Sequence, residues 1–167
     1  SEKIRDAMKL LAQSLSGRKQ YDDALKTYQS ILEKFPKFPS EIHYPIATLE
    51  GSRNQNEQAI IAYEKTIDTF DRTQKITPDY LRDAHYKLAN TLYQQGQYSE
   101  SIDAFDAAIK LFPDHPHRNW SEFISVDALK KIEDRPKATA QLNQLIKSEP
   151  QDDLIKKAAQ SQLKVME

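Results

Sequence analysis

Residues 21–36 read YDDALKTYQSILEKFP and residues 98–113 read YSESIDAFDAAIKLFP. At matching offsets both carry a small residue, an aromatic ring and a terminal Phe-Pro pair: Ala24, Tyr28 and Phe35-Pro36 in one, Ser101, Phe105 and Phe112-Pro113 in the other. A third copy, NEQAIIAYEKTIDTF over 56–70, keeps Ala59, Tyr63 and Phe70 and has Asp71 where proline would fall. A fourth, RPKATAQLNQLIKSEP over 135–150, keeps Ala138, Leu142 and Pro150. The small residues Ala24, Ala59, Ser101 and Ala138 are spaced 35, 42 and 37 apart. A period near 35 residues marks a stacked array, in which each unit buries its apolar face only against its neighbours.

Each copy follows a second amphipathic stretch. Met8, Leu11, Ala12 and Leu15 recur at i, i+3, i+4 and i+7, as do His85, Leu88, Ala89 and Leu92, the one-face pattern of a 3.6-residue helix. Gly17 and Gly96 follow these stretches, and the spacing predicts a left-handed helix stop at both. Each unit therefore reads as helix, short turn, helix and proline stop. Ala12, Ala47 and Ala89 on the first helices, and the four small anchors on the second, allow two helices to approach closely. A core one repeat deep also accounts for the composition: 38% apolar residues, 29% charged and a mean hydropathy of −0.76. The expected fold class is all-α, a right-handed α-solenoid of about four antiparallel helix hairpins with a C-terminal capping helix.

The third unit, His85-x2-Leu88-Ala89-x2-Leu92 with Gly96, Tyr98, Ser101, Phe105, Ala108 and Pro113, resembles the tetratricopeptide repeat. The resemblance extends in phase over a single array, 1–167, with repeats at about 5–38, 40–73, 82–115 and 119–151 and a cap at 152–166. The second unit departs from the pattern at Glu50 and Asp71, and the fourth at Glu122, Ser125 and Arg135. The aromatic-proline endings and the final run ATAQLNQLIKSEPQDDLIKKAAQSQLKVM are similar to repeat domains of bacterial cell-envelope proteins of the TolA-binding and outer-membrane-assembly lipoprotein type. That similarity tips the compartment towards the periplasm or cell envelope over the cytoplasm. The chain starts at Ser1 without Met, which suits a mature or excised segment of something longer.

Breaks in the pattern are equally specific. Pro45 falls inside the first helix of the second unit, after Ser40 as N-cap, and should make that helix the least regular. DRTQKITPDY over 71–80 lengthens the next link, with Thr77 as N-cap and Pro78 at the first helical position; the preceding helix reads as running past Phe70 towards Gln74. Insertions of this kind project from one face of a solenoid, either as neutral surface loops or as part of the binding face. In the last helix, Leu154, Ile155, Ala158, Ala159 and Leu163 fall on one side, as a terminal cap requires.

Little in the chain points to chemistry. There is no cysteine, only 3 Gly, no G-x-S-x-G and no His-Glu-x-x-His, so the expected activity is non-catalytic and cofactor-free. Asp114-His115-Pro116-His117 reads as a solvated loop; the alternative, a zinc or copper site, lacks a third strong ligand fixed nearby. His85 reads as a half-buried packing residue. A net charge of −1 argues against a nucleic-acid partner, including the pentatricopeptide mode of RNA binding, and no apolar stretch approaches the length of a membrane span.

The resemblance places the first helices on the concave side of the array. Residues one step off their core stripe then face a groove: Asp6, Lys9 and Gln13; Glu41, Tyr44 and Thr48; Asp83, Tyr86, Asn90 and Tyr93; Trp120, Phe123, Asp127, Lys130 and Lys131. Tyr44, Tyr86, Asn90, Tyr93, Trp120 and Lys130 are the candidate partner-binding residues, with Tyr86 and Tyr93 expected in the groove and Phe123 expected in packing. Cochaperone members of the family resemble one another in a Lys/Asn carboxylate clamp. Here Lys9 matches, but Gln13, Pro45 and Asp83 replace the other clamp positions, so that ligand is not expected. The function implied is a scaffold that binds a protein or peptide segment in the groove. The alternative is a structural module that self-associates within a larger assembly.

Overall fold

The computed structural model describes residues 1–148 and 153–166. Pro150 and Asp152, read above as the end of the fourth unit and the start of the last helix, lie outside the described residues. Among the described residues the fold is all-α, with nine helices and no strand: α1 (Glu2–Gly17), α2 (Tyr21–Lys34), α3 (Ser40–Ser52), α4 (Asn56–Asp68), α5 (Asp79–Gln94), α6 (Tyr98–Leu111), α7 (Arg118–Lys131), α8 (Arg135–Lys147) and α9 (Asp153–Met166). They divide into two compact units, Ser1–Ala84 and His85–Glu167.

The repeat is visible in the backbone itself. Lys19, Asn54, Gly96 and Glu133 have φ of 62°, 58°, 82° and 63°, and each sits in the turn between the two helices of a pair. In every turn the next residue's N–H reaches back five positions: Gln20 to Leu15, Gln55 to Glu50, Gln97 to Leu92 and Asp134 to Leu129, at 2.9–3.0 Å. This is the Schellman helix stop. Gly96 takes its expected role, but Gly17 does not; α1 runs through Gly17, and Lys19 supplies the left-handed residue. By spacing alone, a helical glycine two residues ahead of the turn looks the same as the stop itself. Phe35 and Phe112 end their helices with nearly identical angles, −133°/68° and −134°/65°, ahead of Pro36 and Pro113.

The anchors pack as their size requires. Ala24, Ala59, Ser101 and Ala138 are all fully buried, as are Ala12, Ala47 and Ala89 on the first helices. In the first unit Ala12 and Ala24 share a core with Tyr28, Ile31, Ile42 and Leu49. In the second, Ile102, Val126, Leu129, Ala138, Leu142 and Leu145 form a core to which α9 adds Ile155 and Ala159. Leu154 was expected on the packed side of that helix and is instead 76% exposed; one residue before Ile155, it is turned about 100° away from the buried side. The departures from the repeat pattern have structural uses. Arg118 holds buried Glu122 through two hydrogen bonds of 3.1 and 2.9 Å, and Gln141 donates to the Glu122 carbonyl. Glu50, also buried, meets Arg53 at 3.5 Å.

Three boundary expectations fail for local reasons. Ser40 is not the N-cap of α3; it lies inside the helix, buried, and its hydroxyl donates to the Thr66 carbonyl at 2.7 Å. The helix before the long link stops at Asp68, short of Gln74, because Asp71 accepts from both the N–H and the hydroxyl of Thr73 and closes a turn. Pro78 occupies the cap position assigned to Thr77, its carbonyl accepting from Leu81 N–H at 3.1 Å. Pro45 leaves α3 unbroken over Ser40–Ser52.

Two substitutions at glycine should have opposite signs. Gly17 and Gly96 both have open space where a Cβ would sit, but only Gly96 has positive φ. Gly96→Ala should cost about 1 kcal/mol, and Gly17→Ala should be neutral or stabilising, read as shifts in the urea midpoint. The anchor position gives a second contrast: the Ser101 hydroxyl is buried without a hydrogen-bond partner among the described residues. Ser101→Ala should therefore stabilise by about 1 kcal/mol, while Ser101→Leu should destabilise by roughly 1 to 3 kcal/mol through overpacking.

Candidate functional site: a polar cleft on the first helices

In the first unit, α1 and α3 project their off-core residues into one cleft of about 530 Å³, lined by Lys9, Gln13, Ser16, Glu41, Tyr44, Pro45 and Thr48, with Tyr28 and Tyr80 completing the wall. The helical period brings this about. Lys9 and Gln13 are one turn apart on α1, Glu41, Tyr44 and Thr48 hold equivalent faces of α3, and Lys9 Nζ bonds Glu41 Oε2 across the pair at 3.0 Å. The Tyr44 hydroxyl donates to Asp83 Oδ2 at 3.2 Å, and its ring lies 5.8 Å from that of Tyr80. Burial, reinforced by the Asp83 charge and hydrogen bond, pushes the Tyr44 hydroxyl well above the ordinary phenol range. Burial does the same for Tyr80.

Tyr86 does not line a groove. Counting by the repeat it is the counterpart of Tyr44, yet it is only 3% exposed, stacked on His115 with centroids 4.2 Å apart and donating to the Phe112 carbonyl at 2.8 Å. The link after α6 folds over it, so it is a packing residue of the second unit. Burial raises its hydroxyl to about 12, with Arg118 opposing and Glu122 adding. The same contact corrects the loop reading of Asp114–His117: His115 is buried and its Nδ1 accepts from the His117 N–H at 3.2 Å, while His117 is exposed. No group of three His, Cys, Asp or Glu able to hold a metal occurs among the described residues.

The other candidates sit on α5 and α7. Asn90 is half-buried. Tyr93 is half-buried and donates to Asp127 Oδ2 at 2.5 Å; that bond, with burial, lifts its hydroxyl to about 12. Trp120 is 52% exposed, 5.9 Å from the Phe123 ring, and Phe123 packs on the core of its unit. Lys130 reaches Gln162 at 3.4 Å and lies 3.9 Å from Asp127. It borders a separate cleft of about 630 Å³ with Gln162, Val165 and Met166. Sequence reasoning missed Tyr80, which stands in the first turn of α5, after the lengthened link, and reaches the cleft. The insertion itself was the available signal.

Comparison with known proteins follows the backbone. Residues 6–37 and 82–115 match models of the tetratricopeptide repeat. These two stretches are tetratricopeptide repeats. Such repeats are scaffolds that present extended surfaces to other proteins. No curated protein matches the sequence. Among solved structures, MamA residues 41 to the end from Desulfovibrio magneticus RS-1 is similar at TM-score 0.70 and 13% identity, over 97% of this chain and 92% of that one. YrrB, a tetratricopeptide-repeat protein with an unusual peptide-binding site, is similar at TM-score 0.65 and 17% identity, over 86% and 68%. PilW, a widely conserved type IV pilus biogenesis factor, is similar at TM-score 0.61 and 15% identity, over 90% and 64%. At these identities the likeness is one of fold, the α-solenoid that the repeats imply. No helix among the described residues is long and apolar enough to cross a membrane.

Six of the eight tyrosines have hydroxyls shifted upward, Tyr86 and Tyr93 to about 12. For Tyr86 and Tyr93 the folded values exceed the unfolded value near 10, so their contribution to stability is complete below about pH 10 and is lost as pH rises through about 12. Alkaline titration followed at 295 nm should show delayed ionisation, and Tyr93→Phe should remove one late-titrating group; ionisation of all eight near pH 10 in the folded chain would refute the assignment.

Proposed function

We propose that this chain is a non-catalytic scaffold that binds a segment of a partner protein along the groove side of its first helices, in one continuous array. The single observation carrying this reading is the cleft of the first unit, where Lys9 and Gln13 from α1 meet Glu41, Tyr44 and Thr48 from α3. Its wall offers donors, acceptors and tyrosine rings, the mixture that protein interfaces favour. YrrB, with its peptide-binding site, supports the reading by analogy of fold. The fold likeness to PilW, a type IV pilus biogenesis factor, supports a cell-envelope setting by the same analogy.

A second reading, self-association, has its own observation. Ile4, Leu10 and Leu11 of α1 are 57%, 67% and 53% exposed, an apolar surface that invites cover. One experiment separates the two. Gln13→Trp with Tyr44→Ala should fill and reshape the cleft, abolish capture of partner proteins and leave the monomer–oligomer balance by light scattering unchanged; Ile4→Glu with Leu11→Glu should do the reverse if self-association is the role. Undiminished capture by the cleft variant, with unchanged helical circular dichroism, would rule out the groove reading.

A further inference from the structure

The cleft of the first unit also carries information about the charge of what enters it. Among the described residues, Lys9 is the only cationic side chain on its wall, and its ammonium already engages Glu41. The Tyr44 and Tyr80 rings stand 5.8 Å apart at 41°, both half-buried and both on the wall. Tyr44 donates its proton to a carboxylate, Asp83, which leaves its ring richer in electrons than a phenol donating to water. Glu41, 35% exposed at its side chain, keeps Oε1 for a second donor, Lys9 being on Oε2. A cation entering the cleft meets the aromatic wall of Tyr44 and Tyr80 and the Glu41 carboxylate, each of which attracts it. An anion meets the Glu41 carboxylate and one ammonium that is already engaged, so it is disfavoured.

We infer that the cleft takes an arginine or lysine side chain from an extended partner segment, lying against the Tyr44–Tyr80 pair on the cleft wall with its charge towards Glu41. The inference rests on the reading of the cleft as a peptide-binding surface and assigns the chemistry of its ligand. Lys9 acts here as a resident cation that an incoming one must displace or share. Its removal should strengthen binding of a basic peptide, which is opposite to what a purely structural ion pair would give.

The test uses the full chain and a random-peptide display library, with peptides kept only if they bind the wild type and fail to bind Tyr44→Ala/Tyr80→Ala. These peptides should be rich in arginine and lysine. Replacing the selected arginine by citrulline should weaken binding about tenfold, and Lys9→Met should tighten it severalfold. Cleft-dependent peptides without basic enrichment, or ones indifferent to citrulline, would overturn the inference and leave peptide binding standing. If every selected peptide binds the double variant as well as the wild type, peptide binding in this cleft falls and the inference with it. Should the double variant lose its helical circular dichroism, the sign of the Lys9→Met effect decides the inference alone: unchanged or weaker binding of basic peptides overturns it.

Discussion

Close approach of paired helices at small side chains is the constraint from which the rest follows. Ala24, Ala59, Ser101 and Ala138 are completely buried, and the left-handed residues Lys19, Asn54, Gly96 and Glu133 each precede one of them by five positions. The turn geometry and the anchor are thus one repeated device. The Schellman stop fixes where the second helix begins, and the small residue one turn later lets it settle against the first. Larger side chains such as Tyr28, Phe105 and Leu142 then fill the space that remains. A protein built this way needs little apolar mass, because each core is only one hairpin thick.

The same spacing generates the cleft. Once Ala12 and Ala47 are turned inward, Lys9 and Gln13 on one helix, and Glu41, Tyr44 and Thr48 on the other, have no choice of direction. What surrounds them differs from unit to unit. Tyr44 and Tyr86 occupy equivalent positions, but Tyr44 meets Tyr80 at a tilt and remains on a cleft wall, whereas Tyr86 is stacked under His115. Inserted links, not the repeats themselves, decide which tyrosine is available. The link before α5 and the link after α6 therefore have opposite consequences: the first precedes a helix whose Tyr80 furnishes a wall, the second covers Tyr86.

The hairpins, their turns and their anchors were legible in the sequence because each depends on local chemistry: 3.6-residue periodicity, the size of a side chain, a residue that tolerates positive φ. Lys9, Gln13, Glu41, Tyr44 and Thr48 were legible for the same reason, since facing direction follows from distance along a helix. Gly17, Ser40 and Tyr86 were not. A glycine two residues early resembles a stop, a serine before an amphipathic run resembles a cap, and a tyrosine off the core stripe resembles a groove residue. Each was reassigned by a partner that its own position does not reveal: the turn at Lys19 set by hydrogen bonds to Leu15 and Ser16, the Thr66 carbonyl that takes the Ser40 hydroxyl, and the His115 ring. The sequence alone determined the repeat and the direction each helical side chain faces, because both are set within a few residues. Tertiary structure alone decided which of those side chains stay open to a partner, because that depends on where a link of irregular length comes to rest.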